Sequence, residues 1–191
     1  EYGPAFAALA QHVGLRELRL DEFSFSAASF KPVLDAAWPA LRRFEGWRFR
    51  LDGDSFAGAP RLEALSLSLS EESMDVASAR VLASRLWQLR ELRLHHAGLG
   101  PAALAALKLG VWPVLEDLNL VANSLGVEGA RTLAGLQWRS LRVLDLGNNA
   151  LGDAGAAALA RGEWPALEDL GLHSNRIGVD GARALASRPW P

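Results

Sequence analysis

The residues that could do chemistry are few, beginning with the carboxylate pairs Glu116-Asp117 and Glu168-Asp169, whose adjacency invites general acid and base catalysis. Both pairs open short segments of strand character, where neighbouring side chains point to opposite faces, so the two acids of a pair do not converge on one bond. They also recur at equivalent places in a repeated pattern, which marks them as consensus residues. A metal site needs at least three ligands around one point, and the histidines are His12, His95, His96 and His173. His95 and His173 occupy equivalent positions three repeats apart, roughly 14 Å at ~4.8 Å per strand. Adjacent His95 and His96 make half a site at most and read as solvated turn residues. No Ser/His/Asp set stands out.

Two further series imitate active-site parts. Asn123, Asn149 and Asn175 could form a row of catalytic amides, but one per repeat, at the turn after a strand, is what a backbone-bonding asparagine ladder requires. Gly126, Gly129, Gly152 and Gly155 could suggest a phosphate loop, yet no GKS or GKT follows them, so tight turning at the start of a helix accounts for them better. The chain has no cysteine, which removes thiolate nucleophiles, disulfides and Cys-based zinc sites and agrees with a reducing compartment. The expectation is a protein that is not an enzyme and carries no metal or cofactor.

The elements that position these residues repeat. Leu115-Glu116-Asp117-Leu118-Asn119-Leu120 returns at Leu141 to Leu146 and at Leu167 to Leu172, a period of 26. The same LxxLxL spacing occurs at Leu89, Leu62 and Leu15, with a weaker copy at Leu41/Phe44/Gly46, so seven units start at 15, 41, 62, 89, 115, 141 and 167. Each Asn is followed by Leu125-Gly126, Leu151-Gly152 or Ile177-Gly178 and then by a GAxxLA string with one apolar helical stripe. A unit is therefore a short strand, a turn and a helix.

Trp38, Trp112, Trp138, Trp164 and Trp190 each stand three residues before a unit begins or would begin, and proline follows four of these five. A bulky ring at the helix-to-strand corner, then a proline to stop the helix, reads as a wedge between layers. The pattern weakens in the second unit, 41 to 61, where Asp52 to Pro60 replaces the helix with a loop or short turn. In the third, Leu65 to Ser70 alternates so regularly that more than one strand register is open, and Glu71-Glu72 reads as an insertion before a helix from about Met74 to Leu86. Residues 1 to 14 read as the helix of a preceding unit and Trp190-Pro191 as the corner of a following one. The single repeat domain of residues 1–191 is thus expected to be a fragment of a longer array.

Composition agrees with one soluble domain: 191 residues, half of them apolar, with 20 basic and 22 acidic side chains for a net charge of −2. Such a balance gives no field to attract nucleic acid or an anionic membrane. No apolar run approaches the ~20 residues of a membrane span, and the first residues do not form a signal peptide. A cytoplasmic location is expected, with a secreted effector as the alternative.

The string LxxLxLxxNxLGxxGAxxLA resembles the leucine-rich repeat, in the longer ribonuclease-inhibitor-like form that alternates a strand with a full helix. The GAxxLA helix also resembles bacterial versions, including GALA-type effectors. The resemblance implies a right-handed, curved α/β solenoid with a parallel β-sheet on its concave face and helices on the convex side. It further implies a protein–protein interaction module. The alternatives that it suggests are a GTPase-activating regulator similar to the Ran activators, or the substrate-recognition arm of a larger bacterial effector or ligase.

With the repeated Leu side chains in the core, alternation sends three columns to the concave surface. The first is Glu17, Arg43, Ala64, Glu91, Asp117, Val143 and Asp169; the second is Arg19, Glu45, Ser66, Arg93, Asn119, Asp145 and Gly171; the third is Asp21, Trp47, Ser68, His95, Val121, Gly147 and His173. The candidate partner-binding residues are Arg19, Arg43, Glu45, Trp47, Glu91, Arg93, His95, Asp117, Asn119, Asp145, Asp169 and His173. Glu17 beside Arg43 and Arg19 beside Glu45 read equally as cross-strand pairing. Trp47 stands away from the corner series, with Trp87 only slightly displaced from it, and burial and binding both remain open for Trp47.

Overall fold

A computed structural model of the chain describes residues 12, 14–20, 33–47, 51, 53–68, 74–84 and 88–191. Among these, the strands are β1 (Glu17–Leu20), β2 (Arg43–Trp47), β3 (Ala64–Ser68), β4 (Glu91–Arg93), β5 (Asp117–Asn119), β6 (Val143–Asp145) and β7 (Asp169–Gly171). The helices are α1 (Val76–Ala83), α2 (Pro101–Leu107), α3 (Gly126–Ala134), α4 (Gly152–Leu159) and α5 (Val179–Ala186). All seven strands pair in parallel, in chain order, in one sheet. The helices pack on one another in the same order. Strands lie ~4.8 Å apart and packed helices ~8–10 Å apart, so stacking such units bends the array with the sheet on its inner side. The architecture is the α/β solenoid expected of the repeat.

Rows of leucine fill the space between the layers. Phe44, Leu65, Leu92, Leu118 and Leu144 are register neighbours and all are buried. Leu67, Leu94, Leu120 and Leu146 form a second buried row, and Leu41, Leu62, Leu89, Leu115 and Leu141 a third. Each unit thus buries its leucines against its neighbours.

The irregular units resolve locally. Register in the third unit places Leu65 opposite Phe44 and Leu92, which sends Ala64, Ser66 and Ser68 to the open face. The helix expected from Met74 begins later, at Val76, because Asp75 takes the N-cap position and its Oδ1 accepts the Ser78 N–H at 2.7 Å. In the second unit, residues 53–58 form the expected turn, with Phe56 packed edge-on against Phe44 at 4.8 Å. The expected helix over residues 1 to 14, the Glu71-Glu72 insertion, Asp21 and Trp87 fall wholly or mainly outside the described residues.

Asn123, Asn149 and Asn175 are buried and link successive turns as the ladder reading requires. Asn123 Oδ1 accepts from the backbone N–H groups of Ala97 and Leu99; Asn149 Oδ1 does so from Asn123 and Leu125, and Asn175 Oδ1 from Asn149 and Leu151. The ladder stops at Ala97, which has no amide to pass on.

The turn after the ladder carries the chain into left-handed backbone at Asn148 (φ 55°), Ala150 (φ 54°) and Gly152 (φ 58°), with Gly126 (φ 59°) equivalent to Gly152. A Cβ on Gly152 would meet no atom within 4 Å, so any cost of Gly152→Ala is in the backbone alone. That cost is about 1 kcal/mol, and Ala150→Gly should return part of the same penalty as a gain. Urea unfolding of the two variants should move the midpoint in opposite directions; movement in the same direction contradicts the left-handed turn.

Candidate functional site

The open face of the sheet is built by register. Glu17, Arg43, Ala64, Glu91, Asp117, Val143 and Asp169 follow one another across the strands, as do Arg19, Glu45, Ser66, Arg93, Asn119, Asp145 and Gly171. Trp47 pairs with Ser68 at the strand ends, while His95 and His173 lie in the turns that follow β4 and β7. The twelve residues expected at a partner surface therefore lie along one face, but the structure groups them unequally.

The tightest grouping spans β2 to β5. On β3, between two strands of long side chains, Ala64, Ser66 and Ser68 are small and buried, and larger groups close over them. Arg43 reaches across Ala64 and places Nη1 3.0 Å from both carboxylate oxygens of Glu91, two strands away, instead of pairing with adjacent Glu17. Arg93 joins Glu91 at 2.9 Å and Asp117 at 3.2 Å, completing an alternating row Arg43–Glu91–Arg93–Asp117. At the strand ends, the rings of Trp47 and His95 meet edge-on across Ser68 with centroids 6.0 Å apart, and His96 stands 6.3 Å beyond. Trp47 is half-buried. Ser68 Oγ is buried without a hydrogen-bond partner among the described residues.

Burial holds His95 below its ordinary pKa, with His96 and Arg93 acting in the same direction and Glu45 against them. These influences favour the neutral imidazole. Arg19 lies 2.6 Å from Glu17 on its own strand and 3.8 Å from Glu45, so the Arg19–Glu45 cross-strand pairing is present but long.

Towards β7 the same columns are occupied differently. Asn119 and Asp145 turn their Oδ1 atoms back to the N–H groups of Val121 and Gly147, at 3.1 and 3.0 Å, and so shape the turns that end their strands. His173 folds over Gly147, where any Cβ would collide with its ring, and its Nδ1 lies 3.8 Å from Asp145 Oδ1. Asp169 is exposed.

Two of the carboxylates considered for catalysis, Glu116 and Glu168, are held in inter-unit ion pairs, as is Glu63. Glu116 pairs with Arg90, Glu168 with Arg142 at 2.8 Å, and Glu63 with Arg42, each bridging neighbouring units. The hydrogen bond to Arg142 lowers the pKa of Glu168, and its counterpart raises that of Arg142. Among the described residues no group of three or more His, Asp or Glu is placed to hold a metal ion, and no helix is long and apolar enough to cross a membrane.

The corner tryptophans act as wedges with an added function that the sequence pattern does not show. The indole N–H of Trp38 donates to the Val33 carbonyl, and those of Trp112, Trp164 and Trp190 donate to Leu107, Leu159 and Leu185, each five residues earlier. In the last three cases the ring caps a carbonyl at the end of the preceding helix. Trp138 is the exception, its buried indole N–H having no acceptor among the described residues.

Residues 139–160 match the family model described as Leucine Rich repeat. The matched stretch is one unit of the solenoid, from the corner after Trp138 through β6 and the asparagine turn to the end of α4. The match supports a leucine-rich repeat protein; it does not distinguish the ribonuclease-inhibitor-like form or a bacterial source. No curated protein matches the chain.

Proposed function

We propose that the chain is a non-catalytic recognition module whose sheet binds a protein partner through the β2–β5 end of its open face. Leucine-rich repeats generally serve as protein-interaction scaffolds. The observation that carries the reading is the Trp47–His95 contact beside the row Arg43–Glu91–Arg93–Asp117. It is a half-buried aromatic anchor next to charges already held in place by one another, the combination that concentrates binding energy at interfaces. Such charges lose little side-chain freedom on docking. Asp145, Asp169 and His173 would lie at the rim. No feature of the described residues favours a GTPase-activating role or the arm of an effector or ligase.

The test is affinity capture from source lysate with the wild type and a Trp47→Ala/Arg93→Ala/His95→Ala variant whose unfolding midpoint matches it. A protein retained by the wild type should bind the variant at least roughly tenfold more weakly in a purified titration. Equal retention on both would remove this face as the site.

A further inference from the structure

Repetition supplies its own control, because a residue that departs from the pattern without improving the packing needs another reason to be there. The helix-to-strand corners can be compared directly: Lys108-Leu109-Gly110-Val111-Trp112-Pro113, Ala134-Gly135-Leu136-Gln137-Trp138-Arg139, Ala160-Arg161-Gly162-Glu163-Trp164-Pro165 and Ala186-Ser187-Arg188-Pro189-Trp190-Pro191. Leu109 stands where the other corners have Gly, Arg or Ser, and Val111 where they have Gln, Glu or Pro. Neither is buried: Leu109 is 73% exposed and Val111 57% exposed. They add nothing to the core, and a solvated corner would lose nothing with polar residues there.

Val111, two residues on from Leu109, lines a groove of about 460 Å³ between the Trp112 and Trp138 corners, with Trp112, Leu136, Trp138, Lys108 and Arg139 among its walls. Its floor is apolar and aromatic, and its only charges are the cations Lys108 and Arg139, neither of which has an ion-pair partner among the described residues. Arg139 replaces the proline that follows the other four corner tryptophans. Lys108 Nζ lies over the last turn of α3, 3.8 Å from where a Cβ on Gly135 would sit. The equivalent groove two units on has the same walls of Trp164 and Trp190 but carries Glu163 in place of Val111, Pro191 in place of Arg139, and Arg188 in place of Leu136, its guanidinium bonded to the carbonyl of Gly162. One fold feature thus occurs twice, once carrying an acid and an arginine bonded to a backbone carbonyl, once apolar and cationic.

We propose that the groove between the Trp112 and Trp138 corners binds an acidic segment of a partner protein that presents bulky apolar side chains. The apolar residues would pack on Val111, Trp112 and Leu136, with exposed Leu109 adjoining, and flanking carboxylates would meet Lys108 and Arg139. Charge complementarity selects the occupant: with two unpaired cations and no acid in the lining, a basic segment is repelled. A concave groove of this size takes side chains of a peptide and is a poor shape for a membrane surface. The site is at the corner edge of the solenoid, separate from the Trp47–His95 face.

The test is selection of a random-peptide phage library on the immobilised chain, followed by fluorescence anisotropy of the enriched peptide. Two variants borrow residues that the protein already uses at equivalent corners: Leu109→Arg/Val111→Glu for the exposed apolar pair, and Lys108→Ala/Arg139→Pro for the charge. Thermal unfolding establishes that each is folded. The proposal expects an acidic, apolar consensus whose binding falls roughly tenfold or more on both variants and weakens with added salt. Absence of a consensus, a basic consensus, or one that both variants retain overturns it. Binding to phosphatidylserine vesicles, lost on the variants and with no peptide enriched, overturns it in favour of a membrane surface. Because Trp47, Arg93 and His95 are intact in both variants, failure here leaves the open-face reading unaffected.

Discussion

Asn149→Ala should cost about 3–5 kcal/mol, the largest loss expected from any single polar residue. Asn149 is fully buried. Its Oδ1 accepts from the N–H groups of Asn123 at 2.9 Å and Leu125 at 3.3 Å, and its Nδ2 donates to the carbonyls of Leu120 at 2.8 Å and Leu146 at 3.0 Å. Truncation leaves two buried donors and at least one carbonyl without partners, each worth ~1–3 kcal/mol, and water can recover only part of this. Against a typical total of ~5–15 kcal/mol, the array should lose its cooperative transition around β5 and β6 first. Urea unfolding followed by tryptophan fluorescence measures the effect; a loss under about 1 kcal/mol would sink the ladder as a source of stability.

The companion variant Asn149→Asp separates donor from acceptor. It keeps the acceptor oxygen and loses the amide donor, and burial favours the neutral carboxyl. A folded-state pKa raised above the unfolded value of ~3.9 means the native state holds the proton more tightly. The deficit of this variant should therefore be full at neutral pH and shrink as pH falls through the folded pKa towards the unfolded one. A deficit independent of pH would argue against burial of that oxygen.

Trp164→Ala is expected to cost about 3–5 kcal/mol, by removing a fully buried indole from between two units. The smaller change Trp164→Phe keeps most of the packing and deletes the indole hydrogen bond to Leu159, 3.1 Å long. Trp138 provides the comparison, since its indole N–H has no acceptor among the described residues. Trp138→Phe should then cost about 1 kcal/mol less than Trp164→Phe. Equal costs would show that the indole bond adds nothing and that the wedge is packing alone.

Most of the fold was legible because its signals are local and repeated. LxxLxL at a fixed period gives strand phase, GAxxLA gives helix phase, and successive short units joined through helices must pair in parallel. The asparagine ladder was legible for the same reason, since a buried amide per turn has one economical use. Less legible were the third unit, where Leu65 to Ser70 offers two registers until Phe44 and Leu92 select one, and the start of α1, which the cap at Asp75 sets.

The sequence by itself determined the order of elements, the leucine rows of the core and which residues share the open face of the sheet. All of these follow from side-chain period along the chain. Tertiary structure alone decided which of the equally spaced charges pair: Arg43 passes over Ala64 to Glu91 and not to neighbouring Glu17, because a small residue on β3 opens that path. It likewise decided that the indoles of Trp112, Trp164 and Trp190 cap helix ends, and that Leu109 and Val111 stand in solvent beside Lys108 and Arg139. These depend on distances between side chains from different units. Periodicity fixes the direction in which a side chain leaves the backbone; only the packed neighbours fix what it reaches.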